Sequence, residues 1–521
     1  MISGDNQHFT TRLVLLFASL ALIGAVLVLV TTSRFGAGIS PDSISFISAA
    51  RNLNAGEGFT ISSGAPVTAW PPLYPALLAF VGRIFNGDSL QIADALNAFI
   101  FALIIYSGGA LSFKYLSSSP IIAVLGVLLI LASIPVFSAS VMVWSEPLFI
   151  LLVLLGIICS RYYLQVNDSI SLMLLSLSVS LACMTRYIGV VLILWGILVI
   201  LFQRGGNVRK RLNHAIIFTL ISILPLTIWI TRNYVLSGTL FGLRAASINS
   251  LDKNLSYVFN TFLEWYVPGK IVDHRAVLIL TGITFGFLAG MSLKGAGGTN
   301  KIMRLLKDPM VLFTIMYLTA LVILSTVSAA DGIGDRLLSP VYVPLTLLLL
   351  VAFNTFVKGI SERHQGRYVP VIANATLIIG ILLWLVYPLD SNILAEAKRL
   401  SNGVGYNTEL WRNSELMQYL IQHQDAVTQY TIYTNHPDAV DILAGLVTKV
   451  SPIKTRFNAR ETVNEISNFD GSWPVENNAR LVWFDRHEHT FLFNIDELKE
   501  VANLRLITAF SDGAIYIVER K

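Results

Sequence analysis

Few side chains in the first three quarters of this 521-residue chain can do acid–base or anion chemistry, and they recur in a pattern. Asp42, Glu146, Arg186, Arg232, Asp335 and Arg336 each stand at or just beyond the end of a long apolar run. Asp331 and the triplet Asp273-His274-Arg275 share that placement. Single ionisable residues at such ends serve as helix caps or as snorkelling anchors. A set of both signs at one depth is different, because it can build an acid–base pocket that handles an anion. Carboxylates there would accept or give a proton, and guanidinium groups would hold an anionic oxygen through paired N–H donors.

What must position these residues is a membrane. The chain is 54% hydrophobic and only 13% charged, and the charges are uneven. Residues 1–389 carry 24 Lys/Arg and 14 Asp/Glu, whereas residues 390–521 carry 13 and 18. Soluble domains are about 25% charged, a level that only the second segment reaches. This excludes a purely soluble protein and a disordered chain. Nucleic acid is excluded as a partner too, since the pI near 9.0 comes with no basic face or binding motif.

Apolar runs long enough to cross a bilayer lie near 13–32, 90–112, 120–140, 146–164, 170–185, 188–202, 214–235, 276–292, 310–328, 338–357 and 369–387. The fold class expected is a polytopic α-helical membrane protein of about eleven helices. The stretch 71–86 begins Trp70-Pro71-Pro72 and reads as an interfacial helix. Alternate loops carry Arg204, Arg209, Lys210 and Arg211, then Lys294, Lys301, Arg304 and Lys307, then Lys358, Arg363 and Arg367. The positive-inside rule makes that side cytoplasmic. An odd number of spans then leaves the N-terminus inside and residues 390–521 outside. The first span reads as a retained helix rather than a signal peptide, because its apolar core is long and no small-x-small site follows. Cys159 and Cys183 both fall in apolar runs, so no disulfide braces the outer domain.

Two outer loops are long, 34–89 and 236–275. In the first, Ser40 is an N-cap, Pro41 an N1 residue and Asp42 an acid in the first turn. Ile44, Phe46, Ile47, Ala50 and Leu53 follow at helical spacing, which predicts an amphipathic helix on the membrane surface. The outer domain, 390–521, alternates helix at 413–423, 437–446, 459–468 and 495–502 with strand at 429–434 and 480–485. A hairpin turns about Ser511-Asp512-Gly513. This predicts a small α/β domain with a mainly parallel sheet. It has no Gly-rich phosphate loop and no nucleophile elbow. His487-x-His489 has the look of a metal pair, but alternation along an exposed strand explains it.

The order of the short motifs is familiar. Pro41-Asp42 leads an amphipathic helix; Gly56-x-Gly58-Phe59, Pro71-Pro72-Leu73-Tyr74-Pro75, Ser145-Glu146-Pro147-Leu148-Phe149, Thr185-Arg186-Tyr187, Arg232-Asn233 and Asp335-Arg336-Leu337-Leu338-x-Pro340 follow. In this order the chain resembles the GT-C superfamily of membrane glycosyltransferases over roughly residues 10–390. It is most similar to the bacterial protein-mannosyltransferase-like and aminoarabinose-transferase-like branch. The resemblance implies a transmembrane catalytic domain at 1–389 in a bacterial cytoplasmic membrane, with an appended outer domain. It implies a polyprenyl-phosphate-linked sugar as donor, and a glycan, lipid or protein as acceptor. Asp42 matches the family's essential acid near the start of the first outer loop, and is the expected general base. Arg336 is the first choice for the donor phosphate, with Arg186 and Arg232 next; Glu146 and Asp335 are the acceptor-positioning or second acids. Such chemistry needs one carboxylate and one or two arginines rather than the paired carboxylates of glycosidases, and direct displacement inverts the anomeric carbon. It requires no cofactor. Many relatives have two adjacent acids where this chain has Asp42-Ser43, which weakens any carboxylate-bound divalent metal.

Three other readings stay open on the sequence. A lipid-linked-sugar transporter or flippase would place polar residues at the midplane, and here they gather at one face. A glycan polymerase or ligase would place its large outer loop late. A non-catalytic scaffold would use the membrane part only to present the outer domain.

Overall fold

The structure, a computed structural model, describes residues 4–203, 207–242, 244, 246–266, 306–328, 332–363, 369–386, 393–455, 464–486 and 489–521. Its helices are α1 (Gly4–Thr32), α2 (Pro41–Ala55), α3 (Leu73–Phe85), α4 (Ser89–Tyr115), α5 (Pro120–Leu131), α6 (Ile134–Ser140), α7 (Glu146–Val166), α8 (Ser169–Thr185), α9 (Val191–Leu201), α10 (Val208–Ser237), α11 (Leu251–Tyr266), α12 (Pro309–Val327), α13 (Asp335–Arg363) and α14 (Val369–Val386).

Among the described residues six helices are long and apolar enough to span a membrane, within α1, α4, α7, α10, α12 and α13. The pair α5 and α6, bent by 46°, makes a seventh if counted as one span. The bend falls where Ser133 caps α6 and Pro135 forbids continuation of α5. These helices make the chain an integral membrane protein. The expected spans at 170–185 and 188–202 are shorter apolar helices, and α14 covers the run at 369–387. The expected span at 276–292 lies outside the described residues. In α4, α7 and α13 two thirds of the apolar window is buried, against about a third in α1 and α10, so the first three form the centre of the bundle.

The amphipathic helix α2 forms where its capping signals predicted. Its Ser40 side chain accepts from Ser43 N, and Ser43 Oγ accepts from Ser40 N at 3.0 Å. Its apolar face does not meet lipid, however. Phe46 packs edge-on against Trp70 and Tyr74, and Ile47 and Ala50 are fully buried. Protein covers this face because α3 folds back beneath it.

In the outer domain, helices α15 (Glu415–Gln422), α16 (Pro437–Ala444) and α17 (Ile495–Val501) flank strands β1 (Thr431–Thr434), β2 (Lys449–Val450), β3 (Ala479–Phe484), β4 (Ala502–Phe510) and β5 (Gly513–Arg520). The strand order is β2-β1-β3-β5-β4. The sheet is mixed rather than mainly parallel. β1 pairs in parallel with β2 and β3, while β5 pairs antiparallel with β3 and β4. The two-residue link of the final hairpin permits only an antiparallel pair, and that pair joins the sheet as a unit. Apolar residues on the two sheet faces form separate clusters, one around Leu416, Val440 and Phe484, the other around Leu481, Trp483 and Leu498. Of the helix expected at 459–468, residues 459–463 lie outside the described residues, and the end is a single 3₁₀ turn, Ile466–Phe469. His487 also lies outside them.

Candidate active site

Three separated segments are stitched together just ahead of α2 and α7. Gly38 N donates to Val141 O at 2.8 Å, and Val143 N donates to Gly38 O at 2.9 Å. On the other edge Ile39 N donates to Val404 O at 3.1 Å, and Tyr406 N to Ile39 O at 2.9 Å. Gly405 has a positive φ of 63° and lies so close to Ile39 that a Cβ would strike its carbonyl oxygen. Asn97 on α4 anchors this strap, donating from Nδ2 to Met142 O at 2.6 Å and accepting from the Tyr74 hydroxyl at 3.1 Å. The strap sets the first turns of α2 and α7 side by side, and so brings Asp42 close to Glu146.

Arg336, from the first turn of α13, joins the two. It is ion-paired with Asp42, and its Nε donates to Glu146 Oε1 at 2.5 Å. Its guanidinium lies over the Trp144 ring, 4.3 Å from the centroid. Trp144 is held in turn by its indole N–H, which donates to Ser40 Oγ at 2.8 Å. Arg186 closes the row through an ion pair with Glu146, and its Nη1 is 3.4 Å from Ser145 Oγ. Arg186 stands where α8 ends, in extended backbone, before the 3₁₀ turn Tyr187–Val190. That turn folds back so tightly that a Cβ on Gly189 would lie 2.8 Å from Ala182 O.

The result is a row of alternating charge, Asp42, Arg336, Glu146, Arg186, with no net charge. The Glu146 side chain is 1% exposed and that of Asp42 21%, so Asp42 and Arg336 face the open end. Burial raises the Asp42 carboxyl above its ordinary range, although Arg336 beside it acts in the opposite sense. Glu146 sits at the N-terminus of α7, where the helix dipole favours an anion. Its Oε2 is buried and accepts no hydrogen bond among the described residues.

Of the residues named from sequence, Asp42, Glu146, Arg186 and Arg336 therefore converge. Two do not join them. Arg232 Nη1 donates to Val67 O at 2.7 Å and Nη2 to Phe59 O at 3.0 Å, and the group lies over Trp229. It clamps the first outer loop, as does Asn233, which donates to Thr68 O and Leu240 O. Asp335 turns away and accepts from Trp265 Nε1 at 2.6 Å. Asp331 and Asp273-His274-Arg275 lie outside the described residues.

Sequence reasoning passed over Trp144 and Arg244. Arg244 Nη2 donates to Ala69 O at 3.1 Å and its guanidinium lies over Trp70. It has no ion-pair partner among the described residues, and the charge of Asp42 reaches it. The signal was present, since Arg244 is the lone charged residue between Arg232 and Asp252. Among the described residues no three His, Cys, Asp or Glu side chains cluster as a metal site.

The outer domain roofs this end of the bundle. Ser62 Oγ, in the loop after α2, donates to Asp441 Oδ2 on α16 at 2.7 Å. Asp438, one turn earlier, is close enough to Asp42 for the two carboxylates to repel.

No protein-family model and no curated protein matches the chain. Solved structures do. ArnT from Cupriavidus metallidurans, bound to undecaprenyl phosphate, aligns over 97% of this chain and 98% of its own, with a TM-score of 0.60 and 14% identity. The oligosaccharyltransferase AglB from Archaeoglobus fulgidus, in complex with an inhibitory peptide and a dolichol-phosphate, aligns over 97% and 74%, with a TM-score of 0.51 and 11% identity. The mycobacterial arabinofuranosyltransferase AftD aligns over 97% of this chain and 41% of its own, with a TM-score of 0.54 and 10% identity. From its first membrane helix to its closing hairpin, the chain has the GT-C fold of these membrane enzymes.

Proposed function

We propose that the chain is a glycosyltransferase that moves a sugar from a polyprenyl-phosphate donor to an acceptor hydroxyl on the outer side of the membrane. The observation that carries this reading is the pairing of Asp42 with Arg336 at the open end of the charge row. It puts a proton acceptor and a phosphate-binding cation side by side. Two of the solved structures with this fold hold a polyprenyl phosphate.

In this reaction Asp42 takes the proton of the acceptor hydroxyl. The acceptor oxygen attacks the anomeric carbon, and the bond from that carbon to the phosphate oxygen breaks. The lipid phosphate leaves with the electron pair, so it needs positive charge more than a proton. Arg336 supplies that charge once Asp42 turns from it toward the acceptor, and Arg244 adds a cation that no carboxylate among the described residues holds. Attack opposite the leaving phosphate inverts the anomeric centre. Glu146 keeps Arg336 and Arg186 in place, and its Oε2, without a hydrogen bond among the described residues, can accept from a sugar hydroxyl. The positive-inside pattern supports an extracytoplasmic site and outer domain.

The test is mass spectrometry of lipid-linked glycans in cells with the intact gene, with the Asp42→Asn form, and without the gene. The reading expects one glycosylated product to vanish, with the polyprenyl-phosphate-linked sugar donor accumulating, in both altered strains. Full turnover by Asp42→Asn would remove Asp42 as the base. Unchanged glycans in both strains would favour a scaffold.

A further inference from the structure

A second polar cavity lies at the far end of the bundle. It has a volume of about 390 Å³ and sits between the C-terminal ends of α7 and α9 and the N-terminus of α12. α7 runs from Glu146 to Val166, roughly 30 Å at the helical rise. The cavity is thus on the membrane face opposite Asp42, the face of the basic loops.

Two cations and one acid line it, Arg161, Lys307 and Asp308. Asp308 is fully engaged. Its Oδ1 accepts from the Tyr115 hydroxyl at 2.7 Å and from Met310 N at 2.9 Å, and its Oδ2 from Arg161 Nη1 at 3.0 Å. Lys307 has no ion-pair partner among the described residues; its Nζ lies 5.5 Å from the Phe202 ring centroid. Among the described residues the cavity therefore carries one uncompensated positive charge, and the positive end of the α12 dipole adds to it.

Three carbonyls at and just beyond these helix ends, which would oppose an anion, are already occupied. Arg211 Nη1 donates to Leu201 O and Gln203 O, each at 3.0 Å, and Lys210 Nζ donates to Asn167 O at 3.0 Å. Two lining atoms remain without partners. Arg161 Nε is a buried donor, and Gln203 Oε1, on a side chain nine-tenths buried, is an acceptor. Buried polar atoms are costly when unpaired, so the site suits a ligand that is anionic and also offers a donor. Leu164, Val199, Phe202 and Pro309 supply an apolar wall, interrupted by Gln165.

We propose that this cavity binds the headgroup of an anionic, hydroxyl-bearing phospholipid from the leaflet opposite the reaction. The phosphate diester meets Lys307 and Arg161, a headgroup hydroxyl donates to Gln203 Oε1, and an acyl chain follows the apolar wall. A headgroup of net charge −1 matches the cavity, whereas a zwitterionic one does not. Basic pockets between membrane helices take lipid headgroups in this way.

The experiment is thermal unfolding of the full chain in neutral detergent, titrated separately with short-chain phosphatidylglycerol, short-chain phosphatidylcholine and inorganic phosphate. Phosphatidylglycerol alone should raise the unfolding midpoint, saturably. Lys307→Glu should weaken its apparent affinity about fivefold or more, and Gln203→Leu should weaken it too. Lys358→Glu changes a half-buried lysine at the same end of the bundle, whose Nζ donates to Ser118 Oγ, and should leave the affinity unchanged. An equal response to phosphatidylcholine, or an equal loss in Lys358→Glu, would overturn the site. A full response to inorganic phosphate would overturn the lipid as its ligand. If Lys307→Glu fails to fold, native mass spectrometry of the unaltered chain decides: phosphatidylglycerol should remain bound in preference to phosphatidylcholine, and no preference sinks the proposal.

Discussion

Arg336 Nε donates to Glu146 Oε1 at 2.5 Å across 190 residues of sequence. The same guanidinium is paired with Asp42, so one cation serves two carboxylates of different standing. Glu146 is sealed from solvent and held by a second arginine, whereas Asp42 is open on one side. The inner acid is suited to holding the row together and the outer one to meeting substrate.

Asp42→Asn should lower kcat by about 10²- to 10⁴-fold, the usual contribution of a positioned base, with little change in donor affinity. Burial raises the Asp42 carboxyl, and only the carboxylate can act as base. The acid limb of the kcat/KM profile should therefore lie above the range of an ordinary aspartate, with activity lost as pH falls through it. A limb at the ordinary aspartate position would mean that another group titrates.

Removing the inner acid should act mainly on stability. Glu146→Gln leaves Arg336 and Arg186 crowded about a neutral amide, and breaking a buried pair costs about 3–5 kcal/mol. Denaturation in detergent reads this directly. The double change Glu146→Gln with Arg186→Gln should lose less than the sum of the single changes. Strict additivity would show that the two residues do not share energy.

For the donor phosphate the arginines should separate by kinetics. Arg336→Ala and Arg244→Ala should each raise donor KM by about ten- to a hundredfold, as expected for a charge-assisted hydrogen bond worth about 1.5–3 kcal/mol, and leave acceptor KM nearly unchanged. Arg232→Ala should instead loosen the loop that it clamps, seen as faster proteolysis between Gly56 and Trp70. A selective donor defect in Arg232→Ala would reverse these assignments.

Asp438 offers a pH test of the roof. Burial, with Asp441 and Asp42 nearby, raises its carboxyl to about 6. A raised carboxyl favours the folded state at pH below the unfolded value, and that advantage is lost as pH rises through about 6. Asp438→Asn should therefore stabilise the protein by about 3 kcal/mol near pH 8 and by almost nothing near pH 4. Unfolding midpoints across that range check it; a gain of equal size at both ends would point to packing rather than charge.

The sequence determined whatever depends on local pattern. The length of the apolar runs and the side bearing the basic loops are properties of neighbouring residues, and so are Ser40-Pro41-Asp42 as a helix start and Ser511-Asp512-Gly513 as a hairpin turn. The resemblance in motif order reached the right fold and put Asp42 first among the candidates. Only the tertiary structure decided who pairs with whom. Arg186, Arg232, Arg244 and Arg336 are the same chemical group near the same end of the bundle. Two of them met carboxylates, one met the carbonyls of Phe59 and Val67, and Arg244 met the carbonyl of Ala69. Asp335 and Arg336 are adjacent in sequence, yet successive helix positions point about 100° apart, so one met Trp265 and the other Asp42. The same holds for α2, whose apolar face the sequence pattern assigned to the membrane surface and packing gave to Trp70 and Tyr74. Local periodicity fixes which face is apolar, and long-range packing alone selects its partner.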